Sequence, residues 1–111
     1  MVEYEDDDGD SPFSDWFDDR DPSAAARVTI ALIRLEHGNF GDSKPLGDGV
    51  VERRIPFGPG YRVYFGRDGA TLVILLGGGT KQRQDRDIEQ AKRCWGDYQR
   101  RKQGLDTETW H

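Results

Sequence analysis

Cysteine is almost missing from this chain: Cys94 stands alone among 111 residues. A lone thiol excludes an intramolecular disulfide framework and denies a zinc ion the paired thiolates it favours. Histidine is nearly as scarce, and His37 and His111 lie far apart, neither beside another candidate ligand or base. No Ser/His/Asp order, Cys/His pair or Walker lysine motif can be assembled from the rest, so nucleophilic and nucleotide-hydrolase chemistry have no residues to run on. Neither a metal nor an organic cofactor is expected. Long apolar runs are absent too: nothing approaches the roughly 18 residues that a membrane helix needs. The opening MVEYEDDDGD is the opposite of a basic, then apolar, export leader. The expectation is one domain over residues 1–111, soluble and cytoplasmic, with no membrane partner.

What the chain has is charge, unevenly placed. Its 16 Lys+Arg and 21 Asp+Glu give a net charge of -5, with a mean hydropathy of -0.86. Ten of the acids fall in the first 22 residues against Arg20 alone, a net of -9. Residues 23–111 hold 15 basic and 11 acidic side chains, a net of +4. An acidic head on a basic body points to polyanion contact, which the total conceals.

Hydrophobic spacing predicts the elements. Val2 to Glu5 alternates like a short strand before the Asp6–Asp10 turn residues, so residues 1–10 form an acidic N-terminal segment. Ser11-Pro12 opens a short helix with Phe13, Trp16 and Phe17 on one face, and Asp21-Pro22 opens a second carrying Val28, Ala31, Leu32 and Leu35. Phe40 to Gly49 reads as a glycine-rich loop. Period two then takes over: Val51, Ile55 and Phe57 oppose Glu52, Arg54 and Pro56, with Arg53 the exception on the apolar side. Gly58-Pro59-Gly60 turns the chain into Tyr61, Val63 and Phe65, alternating with Arg62 and Tyr64. Pairing residue 57 with 61 places Glu52, Arg54, Arg62 and Tyr64 together on the second face. Asp68-Gly69 marks another hairpin, and Thr71 to Leu76 suits a central strand buried on both faces. The run Gly77-Gly78-Gly79 lacks the spacing of a phosphate loop and reads as a strand end where backbone is closely approached. A last helix from about Asp85 aligns Ile88, Ala91, Trp95 and Tyr98 and stops at Gly104, leaving 103–111 as a flexible tail. The fold class is α/β (α+β): a short N-terminal strand, two helices, an antiparallel sheet of about three further strands, and a C-terminal helix.

The candidate chemistry is cationic. Arg54 and Arg62 on one strand face, Lys44 in the loop, and Lys81 and Arg83 beyond the central strand could converge on phosphates, which guanidinium forks match in two-point geometry. An ordinary solvated surface with salt bridges is the alternative.

Several of these stretches resemble a known family. They are Gly38-Asn39-Phe40-Gly41-Asp42-Ser43-Lys44-Pro45-Leu46-Gly47, Glu52-Arg53-Arg54-Ile55, Gly58-Pro59-Gly60-Tyr61-Arg62-Val63-Tyr64-Phe65, Gly78-Gly79-Thr80-Lys81 and Gln84-Asp85-Arg86-Asp87-Ile88. In this order they resemble the addiction-module killer branch of the RelE/ParE toxin superfamily, over about residues 2–102. The resemblance implies a toxin of a type II toxin–antitoxin pair, held by a helix-turn-helix antitoxin. RelE-like members cleave mRNA on the ribosome without metal and so inhibit translation. ParE-like members inhibit DNA gyrase and are not nucleases, and an inactive antitoxin-binding relic is a further alternative. Carried onto this chain, the resemblance implies catalytic roles for Arg54, Arg62 and Lys81. RNA contacts fall to Lys44, Arg53, Arg83 and Tyr64, and proton transfer to Glu52 or Tyr98. Glu52 reads more simply as a salt-bridge partner of its neighbouring arginines. Pro56 stands where RelE has a second lysine, and only Tyr98 could replace its C-terminal tyrosine.

The acidic head has three readings: a solvated terminus, an edge strand with an exposed turn, or an electrostatic cover over the basic face.

Overall fold

The computed structural model describes the backbone of residues 1–109 and the side chains of residues 1–104. Strand β1 (Val2–Glu3) leads into an acidic turn that Asp6 organises. Its carboxylate accepts the Asp8 and Asp10 N–H groups at 2.9 Å each, while Gly9 supplies a φ of +82°. Helix α1 (Pro12–Asp18) follows, its first turn held by the Ser11 hydroxyl, which accepts the Ser14 N–H at 3.1 Å. Helix α2 (Pro22–Glu36) repeats the device with Asp21, whose carboxylate accepts the Ala24 N–H at 2.8 Å. In both helices proline fills the first position, where no N–H is required.

The remaining chain forms β2 (Ser43–Gly47), β3 (Val50–Ile55), β4 (Tyr61–Asp68), β5 (Leu72–Thr80), a 3-10 turn at Lys81–Arg83, and α3 (Gln84–Thr109). The strands make one sheet in the order β1-β5-β4-β3-β2, with β1 parallel to β5 and every other pair antiparallel. Helices α1 and α2 cover one face, with Phe13, Val28 and Leu35 of the helices clustered with Val63, Phe65 and Leu75 of the sheet. Helix α3 covers the other, with its Ala91 and Trp95 clustered with Val50, Tyr64, Ile74 and Leu76 of the sheet. The domain is therefore a three-layer α/β fold, and β5 earns its unbroken apolar run by packing on both faces.

The structure corrects three expectations. The stretch read as a loop over 40–49 contains β2, an edge strand that tolerates Pro45 because its outer N–H groups need no partner. Two residues, Asp48 (φ +58°) and Gly49 (φ +88°), join it to β3, a tight hairpin turn with both central residues left-handed. The β3–β4 register pairs Ile55 with Tyr61 rather than Phe57 with Tyr61. That slip of two residues preserves the face assignments, because side chains alternate with period two. Gly104 does not end α3, which continues to Thr109; the expected tail is helical that far, and residues 110–111, with His111, lie outside the described residues.

The glycine run at the end of β5 serves close approach. A Cβ on Gly78 would lie 2.2 Å from the Trp16 indole of α1, and one on Gly79 would lie 2.0 Å from the Asp87 carboxylate of α3. Both helices are seated through missing side chains.

Candidate nucleic-acid interface

Cross-strand pairing sets the site. Opposed residues of antiparallel neighbours share a face, so Lys44, Glu52, Tyr64 and Gly77 form one row across β2, β3, β4 and β5. The next row along the same face is Arg54, Arg62 and Gly79. Helix α3 covers this face, and the Arg54–Arg62 row lies at the end where α3 begins.

Glu52 is the centre of the arrangement. It is fully buried, and its Oε1 receives Arg54 Nε at 3.1 Å and lies 3.8 Å from Arg62 Nη1. Its Oε2 accepts from Gln84 Nε2 at 2.9 Å. The salt-bridge reading of Glu52 is the geometry observed. Arg54 also lies 3.8 Å from Asp42 and keeps 38% of its side chain exposed, against 11% for Arg62. Lys44 is exposed on the edge strand. Lys81, also exposed, donates its backbone N–H to Gly60 at 3.2 Å, tying the 3-10 turn to the β3–β4 turn. Lys81, Gln82, Arg83, Gln84, Asp85 and Arg86 line a groove of about 520 Å³ at the start of α3, and Gln84 links it to Glu52.

Three expected site residues do not join this group. Arg53 points to the opposite face, is 7% exposed, and lays its guanidinium against Gly41, whose φ of +55° and missing side chain make room for it. Burial pushes its pKa down, with the nearby Arg34 charge acting in the same direction. Tyr64 is on the expected face but wholly buried, with no partner for its hydroxyl, so it has no surface to offer an RNA. Tyr98 lies at the far end of β4, stacked on Trp95 and donating to Asp68 at 2.5 Å. Burial, then the Asp68 bond, pushes its pKa up to about 12. Gln84, Asp42 and Asp87 were not anticipated: nothing in the local pattern of a helix start says which sheet residue it will meet.

The acidic head is an edge strand with an exposed turn. Its N-terminal ammonium lies 3.7 Å from Glu36 of α2, and its acidic turn meets α3, where Arg101 pairs with Asp7 at 2.9 Å and donates to the Glu5 carbonyl at 2.6 Å. Tyr4 donates to Asp97 at 2.7 Å on the same helix. The head thus lies at the β1 edge, separated by β5 and β4 from Arg54. Asp6, Asp8 and Asp10 bring one carboxylate oxygen each within 4.8 Å of one another. These side chains are exposed or nearly so, and such acidic groups are common without an ion.

Fold and site together define a small α/β protein with a cationic end on one sheet face. No family model matches the chain. A Haemophilus influenzae protein described only as uncharacterized is 52% identical over 69 residues, covering 62% of this chain and 70% of the relative. The chain belongs to the same family as that protein. No helix among the described residues is long and apolar enough to cross a membrane.

Proposed function

We propose that this chain is the toxin of a type II toxin–antitoxin pair of the RelE/ParE kind, acting as a metal-independent, ribosome-dependent mRNA endoribonuclease. The observation that supports it most is the direct cross-strand pairing of Arg54 with Arg62, with Lys44 exposed in the neighbouring row and Lys81 exposed just past the end of β5. Attack by the RNA's own 2′-hydroxyl needs in-line placement and stabilisation of a pentacovalent phosphate, and a fixed cationic row supplies both without histidine or metal. Arg54 and Arg62 take the scissile phosphate as the bond from the 2′-oxygen to phosphorus forms and the bond to the 5′-oxygen breaks. The 2′-hydroxyl proton passes to solvent water, and Lys81 at the rim stabilises the leaving 5′-oxygen, which takes a proton from water. Lys44 and Arg83 hold the flanking backbone through phosphate contacts that carry no sequence information. A helix-turn-helix antitoxin is the expected partner that holds the chain inactive.

Induction in bacteria tests the reading. Translation arrest with mRNA cut inside codons supports it, and a folded Arg62→Ala chain should no longer arrest growth. Arrest with intact mRNA and a DNA-damage response would replace it with inhibition of DNA gyrase. A folded Arg62→Ala chain that stayed fully toxic would remove the arginine from the mechanism.

A further inference from the structure

Directly opposed like charges on one face of an antiparallel pair repel each other. Arg54 and Arg62 are opposed in this way, yet Arg62 is mostly buried and Arg54 more than half buried. The carboxylate of Glu52 lies beside both guanidiniums, and its own burial is complete. A buried charge persists only when paired and hydrogen-bonded, and here the pairing is shared: Oε1 faces the arginines while Oε2 is held by Gln84 from the first turn of α3. Neither oxygen is left free for a substrate hydroxyl.

We propose that Glu52 is a positioning residue that sets the spacing of Arg54 and Arg62, and that Gln84 ties this spacing to the start of α3. The inference rests on the RNA-cleavage reading for its functional meaning and assigns Glu52 a holding role rather than proton transfer. Glu52 inside and Asp42 at the exposed side of Arg54 balance the two guanidiniums, so an arriving phosphate must compete with carboxylates for them. Without the carboxylate the two arginines separate, and the phosphate meets more charge in less order. Binding and catalysis then move in opposite directions. Simple charge bookkeeping makes Glu52→Gln a better RNA binder, whereas loss of positioning makes it a slower nuclease.

The test uses the full chain with a fluorescein-labelled mixed-sequence oligoribonucleotide for affinity and a purified translation reaction for cleavage. Glu52→Gln should bind the oligonucleotide as tightly as the parent or up to about 5-fold tighter. Its cleavage should fall by about 30- to 100-fold with the shape of the pH profile unchanged. Gln84→Ala should lose about 5-fold in rate, and the double variant should be no slower than Glu52→Gln alone, as expected of residues acting through one device. Parental rates in Glu52→Gln would overturn the proposal, and so would a pH profile that lost one limb, which would make Glu52 the base. If Glu52→Gln fails to fold, Gln84→Ala at a half-exposed position carries the test: parental cleavage there overturns the Gln84 link. If the parent neither binds nor cleaves RNA, the nuclease reading fails, and the arginine Nε–H resonances decide positioning alone. Sharp Arg54 and Arg62 signals that broaden in the variants support it, and unchanged signals refute it.

Discussion

Adding a methyl group at Gly78 tests how α1 is seated on the sheet. The new Cβ would lie 2.2 Å from a ring carbon of Trp16, well inside contact distance. The indole has little freedom to withdraw: Tyr61 meets it edge-on with ring centroids 6.0 Å apart, and Phe13 packs at 6.1 Å. Arg20 covers it at 5.0 Å while donating Nε to the Trp16 carbonyl at 3.0 Å. Overpacking of this kind costs about 1–3 kcal/mol. In a domain of this length that is a Tm drop of about 4 °C per kcal/mol. Trp16→Ala alone should cost about 3 kcal/mol through the void it leaves. In the double variant the methyl enters that void, so the two costs should fail to add by about 1–3 kcal/mol. Urea unfolding followed by circular dichroism measures all four corners of the cycle. Additivity within about 0.5 kcal/mol would show that Gly78 and Trp16 do not share this contact.

Three other substitutions follow from the same geometry. Burial holds the Asp87 pKa above its usual value, so the native state favours the neutral acid and stability falls as pH rises from the ordinary carboxylate pKa through the raised one. Asp87→Asn should therefore melt higher than the parent at neutral pH, with the gap closing near pH ~3.5; a pH-independent difference in Tm would contradict this. Gly49→Ala would force a left-handed non-glycine residue and place a Cβ 2.6 Å from Trp95 Nε1. A loss of about 2 kcal/mol in chemical unfolding is expected, and parental stability would refute the contact. Arg53→Ala should lower stability through lost packing yet leave RNA affinity within about 2-fold, because its guanidinium lies on the opposite face; a filter-binding loss like that of Arg62→Ala would contradict this.

Much of the fold was legible because period-two spacing in 50–76 and the two Asp/Ser-Pro helix starts are strong local signals. Face assignment survived a wrong register, since a slip of two residues keeps alternation in phase. Strand β2 was not legible because glycine and proline masked it, although Asp48-Gly49 is itself a hairpin signal that could have marked its end. At the site, alternation placed Glu52, Arg54 and Arg62 together and kept Arg53 apart. It could not show that Tyr64 is sealed under α3, that Tyr98 meets Asp68, or that Gln84 reaches Glu52, because each depends on where a helix docks across the sheet.

The most direct measurement of the central claim is the salt dependence of oligoribonucleotide affinity for the parent and for Arg54→Ala/Arg62→Ala. Two lost phosphate contacts to a single strand should lower the slope of log K against log salt by about 1.4, with weaker binding at every salt concentration. A double variant that binds with the parental slope and affinity would show that the arginine row does not grip a nucleic-acid backbone.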